Sequence, residues 1–223
     1  MKSLFITTST KLASISIYDD KGMLANINVN VKKTHSTWLI DQISSLFDWT
    51  SSSISEIENV IVSVGPGSFT GVRIALSAIK GMFVNSDVNV YSVNELDALG
   101  YQGYMIYRKD VLAIIDSNKE KIYYGYYRKG IRVGKLKVSK LNDVLKEYEN
   151  QDIGFMGDGA INYSDKIIEL GYTLDLSDTF LRLNSTIFND MYKNNMLEKV
   201  DLFNLVPEYL EKSQAEKEKD GNK

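Results

Sequence analysis

Cysteine is absent from this chain, which excludes a disulfide framework, a thiolate metal site and a cysteine nucleophile. Histidine occurs once, as His35. One histidine cannot build a two-histidine metal site or the two-histidine helix of zinc peptidases. A Ser-His-Asp triad would have to use His35, and no Gly-x-Ser-x-Gly turn is present to pair with it. Proline occurs twice, as Pro66 and Pro207. No apolar run approaches the roughly 20 residues that span a bilayer. Met1-Lys2-Ser3 leads into a strand without a signal-peptide pattern, so a cytoplasmic protein without membrane association is expected. A net charge of −3 weighs against nucleic-acid binding by this chain alone.

What is present is an ordinary globular composition. With 43% apolar and 25% charged residues in 223, the chain holds one large domain or two small ones. Its most informative stretch is Ser63 to Met82. A buried-type strand, Val60–Val64, enters a loop with Gly65, Gly67 and Gly71, and an amphipathic helix follows at once. A strand, a glycine loop and a helix N-terminus can together form an anion site. The loop matches neither common phosphate fingerprint. Gly71 is followed by Val72-Arg73 rather than Lys-Ser/Thr, and the spacing from Gly67 to Gly71 is one residue too long for a dinucleotide turn. On spacing alone, a sharp turn with close helix packing is the better reading.

Periodicity orders the rest. Leu4–Ser9, Leu12–Tyr18 and Leu24–Val31 read as an antiparallel meander, with a turn at Asp19–Gly22. A helix over Ser36–Trp49 buries Leu39, Ile43 and Leu46 and is capped by Ser36. The strand Val60–Val64 follows a crossover and is parallel to its neighbour. The helix Phe69–Val84 carries an apolar stripe of Val72, Leu76, Ile79 and Phe83, a polar stripe of Arg73, Ser77 and Lys80, and a small face of Gly71, Ala75 and Ala78. A strand at Val88–Val93 and a helix at Asn94–Tyr107 complete a first unit, 1–108.

A second unit, 109–210, starts with strands at Val111–Asp116, Lys121–Arg128 and Ile131–Val138. The tyrosines at 123, 124, 126 and 127 fit alternation in a half-buried strand better than base stacking. A helix at Lys140–Glu149, a short strand at Ile153–Met156 and helices over Ala160–Leu170 and Ser185–Glu198 follow. The polar stretch 211–223 is expected to be a disordered charged tail. This order resembles the ribonuclease-H-like unit of the actin, hexokinase and Hsp70 (ASKHA) group. The predicted fold is α/β, with two such lobes and the second one degraded.

Gly-Pro-Gly-Ser-Phe-Thr-Gly-Val-Arg-Ile-x-Leu-Ser-x-x-Lys-Gly, at Gly65–Gly81, resembles the signature of the TsaB (YeaZ) family. Thr8-Ser9-Thr10 is similar to that family's Asp-Thr-Ser-Thr hairpin start, and His35-Ser36 to the His-Ser before its first helix. Asp116-Ser117 with Tyr123, Gly157-Asp158-Gly159 and Val206-Pro207-Glu208-Tyr209-Leu210 resemble its later motifs. The resemblance implies a non-catalytic subunit in the synthesis of N6-threonylcarbamoyladenosine next to the anticodon of tRNAs that read ANN codons. It implies pairing with a TsaD-type transferase through helices of the first lobe, a TsaE-type ATPase that joins them, and tRNA met only through the complex. ATP or ADP and metal would belong to those partner subunits, with no cofactor, metal site or catalytic residue in this chain. A homodimer of the isolated chain is left open.

The resemblance assigns partner binding to Gly71, Ala75, Ala78, Arg73 and His35; for the small face of Gly71, Ala75 and Ala78, packing inside the same lobe is the competing reading. It puts Thr8, Ser9, Gly65, Gly67, Asp116, Gly157 and Gly159 near any nucleotide. Three departures weaken nucleotide binding: the family's first aspartate is Thr7, its Asp-Ala-Arg is Asp116-Ser117-Asn118, and its C-terminal arginine is Glu211. His35 as a metal ligand is the weaker reading beside local packing at a helix start. For Asp116 and Asp158, turn and capping roles compete with chemistry. The alternative function is an ATP-dependent phosphotransferase of the actin-like kinase group; a metallopeptidase is the weakest reading.

Overall fold

A computed structural model describes residues 1–30, 38–118, 120–149, 151–174 and 177–211. The elements are β1 (Lys2–Thr7), β2 (Leu12–Asp19), β3 (Gly22–Asn30), α1 (Leu39–Trp49), β4 (Ile57–Gly65), α2 (Phe69–Phe83), β5 (Asn89–Asn94) and α3 (Glu95–Tyr107). There follow β6 (Asp110–Asp116), β7 (Lys121–Arg128), β8 (Ile131–Lys140), α4 (Leu141–Glu147), β9 (Ile153–Met156), α5 (Asp158–Asn162), α6 (Ser164–Glu169), α7 (Asp178–Leu181), α8 (Ile187–Lys193) and β10 (Glu198–Val200).

The first sheet has the order β10-β5-β4-β1-β2-β3 and the second β8-β7-β6-β9. The meander β1–β2–β3 is antiparallel, and β4 and β5 add in parallel through crossover helices. In the second sheet β6, β7 and β8 form an antiparallel meander and β9 lies parallel to β6. Both sheets thus start from the strand arrangement of a ribonuclease-H-like unit, and the second stops one strand short. The expected fold of two such lobes, the second reduced, is what the chain adopts.

Side-chain alternation builds the layers. Leu4 and Ile6 of β1, with Val60 and Val62 of β4, face α1 and α2. Phe5 and Ile61 point the other way, into a middle layer where α3 and α8 lie between the sheets. Leu112 and Ile114 of β6 face α4, α5 and α6, while Val111, Ala113 and Ile115 face α3. Central strands buried on both faces read as continuous apolar runs rather than alternation. The tyrosine strand follows the same rule. It is not half-buried: Tyr123 and Tyr127 join the middle core and Tyr124 the outer one.

Other differences are local. The stretch Ala160–Leu170 is two short helices, α5 and α6, rather than one. The helix expected over Ser185–Glu198 is shorter, and Glu198–Val200 instead forms β10 against β5 of the first sheet. The segment 109–210 therefore does not all stay with the second sheet. The Ser36 cap lies outside the described residues, as does the tail beyond Glu211. Glu211 itself is placed, 3.3 Å from the Lys121 ammonium. No helix among the described residues is long and apolar enough to cross a membrane.

Candidate functional site

The glycine loop is occupied by the chain's own hairpin. The Ser68 amide donates to the Ser9 carbonyl at 2.7 Å, and the Ser68 side chain caps α2 by accepting from the Gly71 amide. Gly67 has φ +154°, and a Cβ there would collide with the Ser9 carbonyl. Only glycine fits such an approach. Thr8 donates to the Gly71 carbonyl at 2.7 Å, and the Ser9 and Ser63 hydroxyls share a 2.8 Å hydrogen bond. Thr8, Ser9, Gly65 and Gly67 are thus brought together, all of them except Gly67 buried.

Beneath them lies a residue the sequence does not announce. Glu95 opens α3 and is fully buried. Its Oε2 accepts a 2.7 Å hydrogen bond from Thr7, and its Oε1 finds no partner of hydrogen-bond geometry among the described residues. Burial pushes its pKa up to about 7 against the pull of the Ser63, Thr7 and Ser9 hydroxyls, and the Asp158 charge adds to the rise. An acid just after the Asn94 cap reads locally as a solvated helix-start residue, so no sequence signal marks its burial.

The second lobe contributes Asp116, Gly157 and Gly159. The positive φ of Gly157, +101°, turns β9 into α5, and a Cβ there would collide with the Ile114 carbonyl. Asp116 is held by local donors: Tyr163 and the Asn118 amide on Oδ1 and Asn162 on Oδ2, each at 2.8 Å. Its own amide donates to Asp158 at 3.1 Å. Burial first, then the Asp116 charge, raises the Asp158 pKa to about 6, while the Asp116 amide, Arg182 and Lys11 pull it down. Gly157 lies against α3, where a Cβ on it would stand 3.2 Å from Leu99, one turn after Glu95. Among the described residues no group of three or more metal-ligating side chains exists.

The small face of α2 differs from expectation. Gly71 and Ala75 are buried in their own lobe, and Ala75 is part of the core under α2. Ala78 is partly buried on the same core. α1 exposes Ile40, Asp41, Ser44, Asp48 and Trp49, and α2 exposes Thr70, Arg73, Ser77 and Gly81, with Val84 exposed just past its end. Arg73 is held from within the chain: its Nε donates to the Tyr209 hydroxyl at 2.6 Å, and Tyr209 stacks on Phe69 at 4.6 Å between ring centres. His35 lies outside the described residues.

A family model described as TsaD, tRNA N6-adenosine threonylcarbamoyltransferase, matches residues 23–163. A Bacillus subtilis protein named tRNA threonylcarbamoyladenosine biosynthesis protein TsaB is 23% identical over 222 residues, 97% of this chain and 96% of the relative. A protein of the same name from Buchnera aphidicola subsp. Acyrthosiphon pisum is 28% identical over 125 residues, and the match spans 56% of each chain. The solved structure of YeaZ from Pseudomonas aeruginosa superposes with a TM-score of 0.74 at 22% identity, covering 94% of this chain and 100% of that one. With more than half its length matched by the family model, and curated relatives named TsaB in several bacteria, the chain belongs to the TsaD family of tRNA N6-adenosine threonylcarbamoyltransferases, among its TsaB (YeaZ) members.

Proposed function

We propose that this chain acts in tRNA threonylcarbamoyladenosine biosynthesis as a non-catalytic scaffold subunit that pairs with a TsaD-type transferase, with a TsaE-type ATPase joining the assembly. The observation that carries the reading is the filled glycine loop. The Ser68 amide at the start of α2 is spent on the Ser9 carbonyl, the Thr8 hydroxyl on the Gly71 carbonyl, and the Ser9 and Ser63 hydroxyls bond to one another. The outer face of α1 and α2, with Ile40, Trp49 and Val84 each about half exposed or more, is a surface open to a partner. tRNA would be met through the complex, since the net charge of −3 supplies little phosphate affinity.

One observation favours the kinase-type alternative: Asp116 and Asp158 meet at the end of β6, and the Asp158 pKa is raised. Two measurements separate the readings. The chain is co-purified with the TsaD-type protein of the same cell, and ATP turnover is measured on the pure chain. A stable complex with no turnover supports the scaffold. Turnover that is lost in Asp116→Ala and Asp158→Ala supports the kinase. No complex at micromolar concentration sinks the scaffold reading.

A further inference from the structure

The segment after β10 is tied to four separate elements. Leu205 is buried in the core under α1 and α2, and Leu210 packs on the core between the sheets. Between them the chain crosses the carboxyl ends of β4 and β5. Along α2 it runs antiparallel to the helix: Lys80 donates to the Phe203 carbonyl at 2.9 Å, and one end of the crossing is fixed by Tyr209 on Phe69 and Arg73. The Arg73 guanidinium carbon also stands 5.4 Å from the Tyr209 ring centre.

Inward, Glu208 makes two contacts. Its amide donates to the Val64 carbonyl at 2.8 Å, at the base of the glycine loop. Its Oε2 accepts from Asn94 Nδ2 at 2.7 Å. The Asn94 carbonyl oxygen in turn caps α3, accepting from the Leu96 and Asp97 amides at 3.0 and 3.2 Å. Past Leu210, Glu211 meets Lys121 of the second sheet. Under the arch is a cavity of about 270 Å³, lined by Val64, Ser92, Val200, Leu205, Pro207 and Glu208. The arch is therefore held at its ends and by Glu208 rather than by continuous packing.

We infer that residues 203–211 form a releasable clasp, closed by Tyr209 on the flank of α2, which holds the glycine loop and the α3 cap in register. Asn94 fills both hydrogen-bonding roles of its amide here, donor to the clasp and acceptor for α3. When Tyr209 lifts, Glu208 loses its anchor, the Asn94 amide is freed to rotate, and the cap above Glu95 loosens. A protein covering the outer flank of α2 would thus reach the lobe junction through Tyr209; that consequence rests on the function proposed above, but the clasp itself does not.

The test is amide hydrogen exchange on the full isolated chain, without any partner. Tyr209→Ala removes both the hydroxyl and the stacked ring. It should speed exchange at Glu208, Leu96 and Asp97 by roughly tenfold to a hundredfold. Amides of β6 should be unchanged. Faster exchange confined to 203–211 overturns the proposal, because the clasp would then fray without touching the α3 cap. An equal rise everywhere also overturns it, since Tyr209 would be a prop of the whole fold. Tyr209→Phe keeps the ring on Phe69 and loses only the bond from Arg73. It should raise exchange at the same three amides by about two- to tenfold. If the alanine variant does not fold, this variant decides: no change at Leu96 and Asp97 overturns the clasp.

Discussion

The Thr7 hydroxyl donates its proton to Oε2 of Glu95, at 2.7 Å and 88 residues away in sequence. The bond ties the end of β1 to the first turn of α3. Position 7 is where the family pattern puts an aspartate, and here a hydroxyl faces a carboxylate that comes from α3 instead. The donated bond partly offsets the cost of burying the acid, and the remaining cost shows in the raised pKa of Glu95.

Glu95 makes stability fall as pH rises. Its folded pKa, about 7, lies above the ordinary 4.5, so the native state holds a proton that the unfolded chain has released. The contribution is flat below about pH 4.5, declines between 4.5 and 7, and is flat again above. A shift of this size corresponds to about 3 kcal/mol. Glu95→Gln removes the titration. Urea unfolding at pH 5 and pH 8 should show the variant gaining on the parent by up to about 3 kcal/mol at the higher pH. An equal difference at both values would mean that Glu95 does not titrate in this window.

Two arginine substitutions on α2 separate core from docking surface. Ala75 is fully buried, so Ala75→Arg overpacks the lobe by about 1–3 kcal/mol and buries a charge as well. Thermal melting should lose its cooperativity. Ser77 is exposed on the same helix, and Ser77→Arg should alter stability by less than about 0.5 kcal/mol. In the same variant, association with the TsaD-type protein should weaken at least tenfold. Undiminished binding by Ser77→Arg would move the docking surface off this helix.

Gly81 offers a stabilising change. It lies within α2, is exposed, and a Cβ there would meet nothing within 4 Å. Gly81→Ala should raise the unfolding free energy by about 0.5–1 kcal/mol through helix propensity. A lower urea midpoint would show that the glycine is kept for a close approach of backbone.

Elements with a strong local period were legible. The three apolar positions read in α1 are all buried, and so is the α2 stripe of Val72, Leu76, Ile79 and Phe83. The strand Ile153–Met156 falls at the same residues in structure and in sequence. Such patterns report which face a side chain must hide, and that follows from residue type and spacing alone. The glycines of the loop carried the turn for the same reason, because positive φ leaves a mark on residue choice.

Other features leave no such mark. β10 has the sequence Glu-Lys-Val, and its strand state comes from backbone pairing with β5, which any side chains allow. The small face of α2 looks the same in sequence whether a partner or its own sheet lies against it; packing against the sheet buried Ala75. Glu95 was hidden because the residues packed around it, Thr7, Ser9 and Ser63, come from segments distant in sequence. Sequence by itself determined the strand and helix order, the glycine turn and the core stripes, because each depends on local periodicity. Tertiary structure decided that Ser9 fills the loop, that Glu95 is buried beneath Thr7, and that Tyr209 closes on Arg73 from 136 residues away. Burial and hydrogen bonding between distant segments depend on how the layers stack, and no local pattern encodes that.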